Sequence, residues 1–451
     1  MSALLEPANA VLSPVARRAR RRIALRLLPL VFAMYVVCYV DRANVSFAAL
    51  RMRAELGMSA SAYGFGVGIF FLGYTLFEVP GAIIVERWSA RKWMARIMIT
   101  WGFITIFTGF VHTPRQFYVA RVLVGLAEAS FFPGIIVYLT HWFRSCDRAK
   151  AIGFFYTGVP AATVAGSLIA SVLIETRWLG IAGWRWLFIM EGVPPIILGV
   201  IALLYLTDWP RQANWLPPDE RDWIAGVLES ETRAKKQSRD YTIWQAVRDP
   251  KVLLMATAWA LFLVGTLGSL YWTPIFVKRF SGLPDARVAL FSVLPGIFGI
   301  VGMLLNGWHS DKVGERRWHC AVPLFIGGIL YLGLLIPHIP FPLAMLLLAL
   351  APGFYYSFQP VFWSIPTVIF CESAAAACFG LINSIGQIGG FVGPYAVGYL
   401  TDRTGQHAAA FAFIGVCVLL SGTITALVKV ENPAVAPSIP STSDQPSGAQ
   451  L

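Results

Sequence analysis

The sequence predicts an all-α membrane protein with twelve transmembrane helices, arranged as two six-helix bundles related by pseudo-symmetry. Three observations predict this class. Of the 451 residues, 57% are hydrophobic and 13% are charged, whereas soluble domains average about 45–50% apolar and about 25% charged residues. The chain contains twelve apolar runs of about 20 residues, the length that crosses the hydrocarbon core of a bilayer. A short charged motif also occurs twice, half a chain apart.

The first six apolar runs predict an N-terminal bundle over residues 23–206, preceded by a cytoplasmic basic segment at 1–22. This basic segment resembles the charged start of a signal peptide. The run that follows is too long, contains charge and lacks a small-residue cleavage site, so we expect it to be retained as the first span. The six predicted spans are 25–50, 63–85, 93–111, 117–142, 149–174 and 184–206.

A polar inter-bundle loop at 207–250 separates the second bundle, which we assign to residues 251–430. Pro217 and Pro218, followed by Asp219 and Glu220, predict a short amphipathic helix in this loop, because proline suits a first helical turn and acids suit its positive dipole end. The Pro- and Ser-rich end, 431–451, is expected to be a disordered cytoplasmic tail. The second six predicted spans are 252–277, 288–308, 318–336, 341–370, 376–400 and 407–428.

The distribution of lysine and arginine predicts the orientation. If the N-terminus is cytoplasmic, the inner segments carry 25 of these residues and the outer loops carry 9. By the positive-inside rule both termini are then cytoplasmic, in a multi-pass protein of the plasma membrane. The net charge of +12 is explained by this topology, and we expect no nucleic-acid partner.

The repeated motif predicts two homologous halves. The sequence ERWSARKW at 86–93 and the sequence DKVGERRW at 311–318 place an acid, a base, a small residue, two bases and a tryptophan in one register. Their offset of 225 residues is half the chain. Internal repeats of this kind are typical of secondary transporters built from two bundles.

The second copy of this loop resembles the signature of the major facilitator superfamily, Gly-x-x-x-Asp-Arg/Lys-x-Gly-x-Arg/Lys. It carries Gly307, Asp311, Lys312, Gly314 and Arg316 in the required register. The first copy departs from the signature at three positions.

Within that superfamily the chain is similar to the anion:cation symporters, the group of tartrate, phthalate and sugar-acid permeases. The similar stretches are YVDRAN at 39–44, FEVPG at 77–81, RVLVGLAEA at 121–129 with FFPG at 131–134, GWRWLFIMEG at 183–192 and NSIGQIGGFVGP at 383–394. The resemblance implies the major facilitator fold and import of a small organic anion by proton symport. A sodium-coupled symporter, an exporter and a non-transporting sensor of the same fold remain alternatives.

Charged residues inside predicted spans are the candidate site. An ionisable group at that depth costs at least about 2.5 kcal/mol on insertion scales, so Asp41 and Arg42 are expected beside a central cavity. Arg121, Gly125 and Glu128 are spaced by four and three and share one helix face. We expect Asp41 and Glu128 to carry the coupling proton, and Arg42 and Arg121 to attract the carboxylate. The alternative is that these residues form structural ion pairs.

Uncharged polar and aromatic residues are the candidate pocket walls. Tyr35 lies seven residues before Arg42, and Tyr74 lies four before Glu78, so each pair shares a face. The resemblance implies cavity positions for Tyr74 and also for Trp363 and Asn383. Gln359 and Gln387 are two further candidates. The substrate-binding candidates are therefore Arg42, Arg121, Tyr35, Tyr74, Trp363, Asn383, Gln359 and Gln387.

For the other charged residues we predict structural or conformational roles. Glu78 and Glu191 are expected to cap or cross-link helices near the cytoplasmic side. Glu86 with Arg87 and Asp311 with Lys312 are expected to pair across the halves, and the resemblance implies that these pairs set the balance between outward and inward states. The alternative is that the bases of these loops serve only topology. The loop residues are Glu86, Arg87, Arg91, Asp311, Lys312, Gly314 and Arg316.

The sequence lacks the motifs that several other classes of protein require. It contains no phosphate-binding glycine loop, no metal-ligand spacing and no nucleophile with a partner. We therefore expect no enzyme activity, no metal and no cofactor beyond the coupling ion. The expected partners are the organic anion, the proton and the lipid bilayer, and we expect a monomer.

Overall fold

The structure is a computed structural model that describes residues 13–236, 245, 248–366 and 372–428, so the predicted tail at 431–451 lies outside the described residues. Within these ranges every regular element is helical. Each of the twelve predicted spans overlaps a helix. Nine helical stretches among the described residues are long and apolar enough to cross a membrane, by length and composition.

Eight helices, numbered here in chain order, form the first half. They are α1 Pro14–Glu55, α2 Ala60–Arg87, α3 Ala90–Thr108, α4 Pro114–Glu128, α5 Phe131–Thr140, α6 Ser145–Tyr156, α7 Gly158–Leu173 and α8 Gly183–Tyr205. A short 3₁₀ helix, Pro210–Gln212, and α9, Pro218–Lys236, follow. The helix predicted from the Pro217–Glu220 pattern is thus present as α9, with Asp219 and Glu220 in its first turn.

The second half contains seven helices. They are α10 Pro250–Ser281, α11 Asp285–Phe291, α12 Val293–Val313, α13 Arg317–Gly333, α14 Phe341–Phe362, α15 Glu372–Thr404 and α16 Ala408–Leu427. The halves meet where α2 packs against α15, α1 against α10, and α7 against α11 and α12.

Three predicted spans are broken into two helices each, which the prediction of single helices missed. The breaks fall at Ser130, Thr157 and Ser292, and in each case a proline stands three residues later. Proline has no N–H to donate to the carbonyl four residues before it, so the helix is interrupted there. At Ser130 the backbone leaves the right-handed helical conformation, because its φ of 67° lies in the left-handed region.

The two halves are joined at the end of the molecule that contains the α1–α2 loop, which we call the closed end. Asp402 of α15 accepts hydrogen bonds from the amides of Ala60 and Ser61 at the start of α2. The Arg51 guanidinium donates to Asp285 across the halves at 2.8 Å. Between the halves near this end lies a cavity of about 20 Å³, lined partly by Thr273, which has room for about one water molecule.

The α2–α15 contact ends further along the two helices. Glu78 accepts a hydrogen bond from the Asn383 side-chain amide at 2.6 Å. Beyond this bond, a Cβ added at Gly380 would meet no atom within 4 Å. Among the described residues, α15 is therefore open at Gly380.

Candidate functional site

A buried ion pair between α1 and α4 lies at the centre of the first half. The Arg42 guanidinium donates to Glu128 Oε1 from Nε at 3.0 Å and also from Nη2. The Cys38 thiol donates to the same oxygen at 2.9 Å. Glu128 is fully buried and Arg42 is 9% exposed. Removing either partner of a buried pair leaves an uncompensated charge, which costs about 3–5 kcal/mol.

The local fold explains why Glu128 needs this arginine. Glu128 is the last residue of α4, immediately before the break at Ser130. The C-terminal end of a helix carries a partial negative charge, so a carboxylate there is disfavoured unless a cation compensates it. Arg42 compensates both the carboxylate and the helix end.

Aromatic rings surround the Arg42 guanidinium. Its central carbon lies 4.8 Å from the centroid of the Tyr39 ring, 5.2 Å from Phe70 and 5.4 Å from Tyr74. Cation–π contacts of this kind stabilise a desolvated cation by about 2 kcal/mol or more. Tyr74, a predicted pocket residue, thus lies beside the arginine, and the three rings together fix where the guanidinium points.

Arg121 is buried on the same helix as Glu128 but pairs differently. Its guanidinium lies over the Phe70 ring at 4.7 Å. Among the described residues, its Nε and Nη2 atoms have no hydrogen-bond partner. A Cβ on Gly125 would lie 2.2 Å from the Phe70 carbonyl oxygen, so glycine is what lets α2 pass close to this face of α4.

Asp41 lies inside the first half, whereas the sequence analysis expected it, together with Arg42, beside a central cavity. It is 2% exposed and lies next to Trp101 and Thr105 of α3, where the charge of Arg121 acts on it. Adjacent helix positions point about 100° apart, so Arg42 and Asp41 occupy different faces of α1. Asp41 Oδ2 has no hydrogen-bond partner among the described residues.

Glu191 joins the same buried region, although the sequence analysis expected it to cap or cross-link helices near the cytoplasmic side. Within the described part of the chain, neither of its carboxylate oxygens has a hydrogen-bond partner, so it caps no helix. It is 4% exposed, and it interacts electrostatically with Asp41. The signal that could have found it is a carboxylate about two turns inside an apolar span, the same signal that identified Asp41.

Glu78 and Asn383 connect the halves at the level of this site. Glu78 accepts from Asn383 through Oε1, while its Oε2 atom has no partner among the described residues. The expectation that Glu78 cross-links helices is therefore met, and the link runs between α2 and α15.

Candidates on the second half lie among aromatic rings. The Trp363 ring lies 4.8 Å from Trp259 and stacks on Phe379 at 5.2 Å. Trp363 Nε1 and Gln359 Oε1 have no hydrogen-bond partner among the described residues. Gln387 is 9% exposed. These groups offer a donor and an acceptor that the surrounding protein does not use.

Tyr35 lies away from these groups. It is 1% exposed, stacks on Phe155 of α6 at 3.7 Å and meets the edge of Tyr39 at 4.8 Å. Tyr35 therefore reaches the aromatic rings around Arg42 only indirectly, through Tyr39.

The paired loops bond within their own halves. Arg91 donates its amide to Asp208 at 2.9 Å, and Asp311, which was expected to pair across the halves, pairs with Arg316 at 2.6 Å. Gly314 ends α12 in a left-handed conformation with φ of 75°. Lys312 lies over the Trp308 ring at 5.2 Å. The side chains of Glu86 and Arg87 lie outside those that the structure describes.

Comparison with known proteins places the chain among membrane transporters. The family model described as Major Facilitator Superfamily matches residues 31–394. A "Putative tartrate transporter" of Agrobacterium vitis is 40% identical over 92% of this chain and 96% of its own length. A "Quinolone resistance transporter" of Acinetobacter baumannii is 34% identical over 90% of this chain and 94% of its own.

Among solved structures, a bacterial homologue of the human lysosomal transporter Spinster has the same fold. That structure, in an inward-facing and unoccupied conformation, superposes with a TM-score of 0.70 over 92% of this chain and 96% of its own, at 18% identity. The predicted twelve-helix fold is thereby confirmed.

Proposed function

Because the chain belongs to the Major Facilitator Superfamily, we propose that this membrane transporter imports a small organic anion by proton symport. The family establishes membrane transport, and the anion and the proton are the proposed additions. The anion is a carboxylate, such as a dicarboxylate, a sugar acid or an aromatic acid. The 40% identity to a protein named for tartrate transport supports this class.

The observation that carries the proposal is the buried pair of Arg42 and Glu128. A substrate carboxylate that binds Arg42 competes with Glu128 for the same guanidinium. Glu128 would then lose its counter-ion in a place that water does not reach, at a cost of several kcal/mol. A proton on Glu128 removes that cost, so anion binding and proton binding favour each other, as symport requires.

Asp41 and Arg121 form the second part of the proposed coupling machinery. Their charges interact within the first half, and the unpartnered Nε and Nη2 atoms of Arg121 retain hydrogen-bonding capacity. Arg121 attracts the substrate anion from a position near the pair of Arg42 and Glu128. Asp41 gains or loses a proton when the bound anion changes the electrostatic effect of Arg121 on it.

The proposed pocket is lined by polar groups of both halves, some of which have no hydrogen-bond partner among the described residues. Tyr74 lies beside Arg42 on the first half, and Asn383 reaches Glu78 from the second. Trp363 and Gln359 supply an unused donor and an unused acceptor, and Gln387 lies one turn from Asn383 on α15. A substrate held by both halves would couple binding to their relative movement.

The closed end faces out of the cell in this proposal, and both termini are cytoplasmic. The excess of basic residues on the segments at the opposite end supports this orientation. The conformation is then inward-facing, like the Spinster homologue that it superposes on. Transport requires the bonds of Asp402 and Arg51 at the closed end to break in the outward-facing state.

Export is the second candidate, supported by the 34% identity to a protein named for quinolone resistance. The direction of net flux decides between the two. Quinolone accumulation inside right-side-out vesicles would fall on expression of an exporter, and carboxylate uptake would be absent.

Uptake into proteoliposomes tests the import proposal. Labelled tartrate, a hexonate, a hexarate, phthalate and a hydroxybenzoate are offered with and without an inward proton gradient, and with a sodium gradient instead. We expect one acid to accumulate only with the proton gradient. Asp41→Asn and Glu128→Gln should bind this acid without concentrating it.

Glu229→Gln is the matched control, because Glu229 is an exposed carboxylate on α9 that pairs with Arg211. It should transport as the parent protein does. Accumulation that ignores pH, or normal accumulation by both test variants, would refute proton coupling through these acids.

A further inference from the structure

A second cavity lies in the first half, at the end where α1 begins. Its volume is about 370 Å³, within the range of about 300–1,000 Å³ of ligand pockets. It is an open cavity lined by the first turns of α1, by residues 142–144 before α6, by α6 itself and by Ile224 of α9. The anion site described above, at Arg42 and Glu128, is not part of this cavity.

The polar part of its wall carries an excess of positive charge. Four arginines and one aspartate line it, which gives a net charge of +3: Arg17, Arg20, Arg21, Arg144 and Asp147. Asp147 is shared, because Arg20 Nε donates to its carboxylate at 2.9 Å and Arg144 Nε at 3.0 Å. Arg21 makes no hydrogen bond or ion pair with any described residue. Arg21 therefore adds to this wall a positive charge that no described residue compensates.

The rest of the wall is apolar. Leu28, Trp142 and Phe143 line it, and Trp142 is 1% exposed. An inorganic anion would neutralise the arginines and leave the partly exposed Ala24 and Leu28 against water. A ligand with an anionic head and a hydrocarbon chain covers both surfaces, since apolar burial contributes about 25 cal/mol per Å².

The position of the cavity relative to the membrane restricts the ligand further. Helix α1 runs without a break from the basic turns into the membrane span. Leu25, one turn beyond Arg21, is 65% exposed, as expected for a residue that contacts lipid. Arg21 therefore lies at the depth of the phospholipid headgroups, where clusters of basic residues attract anionic lipids.

We propose that this cavity, with Arg17, Arg20, Arg21 and Arg144 in its polar wall and Leu28 and Trp142 in its apolar wall, binds the headgroup and upper acyl chain of an anionic phospholipid. The bound lipid bridges α1, α6 and α9. It thereby ties the inter-bundle helix α9 to the first half.

Native mass spectrometry of the purified full chain tests this proposal. The protein is titrated with dioleoylphosphatidylglycerol, with dioleoylphosphatidylcholine and with glycerol 3-phosphate. We expect the anionic lipid to bind at least about tenfold more tightly than the zwitterionic one. In Arg21→Gln the affinity for the anionic lipid should fall about fivefold, the contribution of one basic residue near a membrane surface.

Arg211→Gln is the matched control, since Arg211 is at the same end of the molecule but pairs with Glu229 outside the cavity. It should bind the anionic lipid as the parent does, and so should the coupling variant Glu128→Gln. Equal affinity for the two lipids, or unchanged affinity in Arg21→Gln, would overturn the proposal. Equally tight binding of glycerol 3-phosphate would assign the site to a free phosphate instead.

Discussion

Asp402 of α15 accepts two hydrogen bonds from Ser61 of α2, from the amide at 2.7 Å and from the hydroxyl at 2.6 Å. A third bond comes from the Ala60 amide at 3.0 Å. The first amides of a helix have no partner within it, so a residue of the second half satisfies the start of a helix of the first. These bonds exist only while the closed end is closed.

Removing this carboxylate should therefore open the closed end more often. Asp402→Ala loses a capping interaction worth about 1 kcal/mol, so we expect hydrogen exchange at the amides of residues 60 and 61 to speed up about fivefold. Exchange mass spectrometry of the peptide around residues 56–63 measures this. Asp249→Ala is the control, because Asp249 caps α10 within its own half, and it should leave exchange at 60–61 unchanged.

The same carboxylate predicts how closure depends on pH. Burial raises the pKa of Asp402, but the hydrogen bonds from Ser61 and the amides outweigh burial, and the net pKa lies below its usual value. In the open state the pKa returns to about 3.9. The stabilisation is thus fully present above about pH 4 and is lost as the pH falls through the lower pKa of the closed state.

We accordingly expect the opening frequency at residues 60–61, corrected for the intrinsic pH dependence of exchange, to be constant between about pH 5 and pH 8. A rise in opening near neutral pH would contradict this. It would mean that another group, and not Asp402, sets the pH dependence of closure.

The sequence predicted the helices and several shared faces because both depend on one segment at a time. Run length predicts a span, and the spacing of Arg121 and Glu128 predicts a common face. The rotation of each helix against its neighbours depends on packing instead, as where Gly125 admits the Phe70 backbone. For this reason spacing could not predict that Asp41 is buried against α3, or that it shares this region with Glu191.

Some of what sequence reasoning missed was available in local signals. The break at Ser130 follows from Pro133, and it explains why Glu128 ends a helix and needs Arg42. The bonds of Asp402 across the halves had no local signal, because the two helices that they join are far apart in the chain.

The pair of Arg42 and Glu128 should show strong energetic coupling. Either Glu128→Gln or Arg42→Gln alone leaves a buried charge without its partner and should lower the free energy of unfolding by about 3–5 kcal/mol. The double variant removes both charges and should be less destabilised than the sum of the two. Thermal unfolding in detergent measures this. Arg211→Gln and Glu229→Gln, an exposed pair, should show coupling below about 1 kcal/mol, and additivity at the buried pair would contradict the geometry.

Glu191→Gln should behave differently from Glu128→Gln, although the two substitutions are chemically identical. Among the described residues no cation or donor pairs with Glu191, so a charge there would be uncompensated and an amide of the same shape is tolerated. We expect the free energy of unfolding to change by less than about 1 kcal/mol. The pH dependence of uptake should stay that of the parent protein, because a neutral Glu191 places no charge on Asp41. A shifted pH profile would show that Glu191 becomes charged during transport and acts on Asp41.

Gly125→Ala should separate α2 from α4 and disturb the site between them. The added methyl group would lie 2.2 Å from the Phe70 carbonyl oxygen, and relieving such a contact costs about 1–3 kcal/mol. The Phe70 ring that lies under Arg121 and beside Arg42 moves with its backbone, so uptake should fall together with stability. Gly226→Ala on α9 is the control, since a Cβ there meets no atom within 4 Å, and it should stabilise the protein by about 0.5–1 kcal/mol. If Gly125→Ala kept both full stability and full uptake, the close approach of α2 and α4 would not be what positions the two arginines.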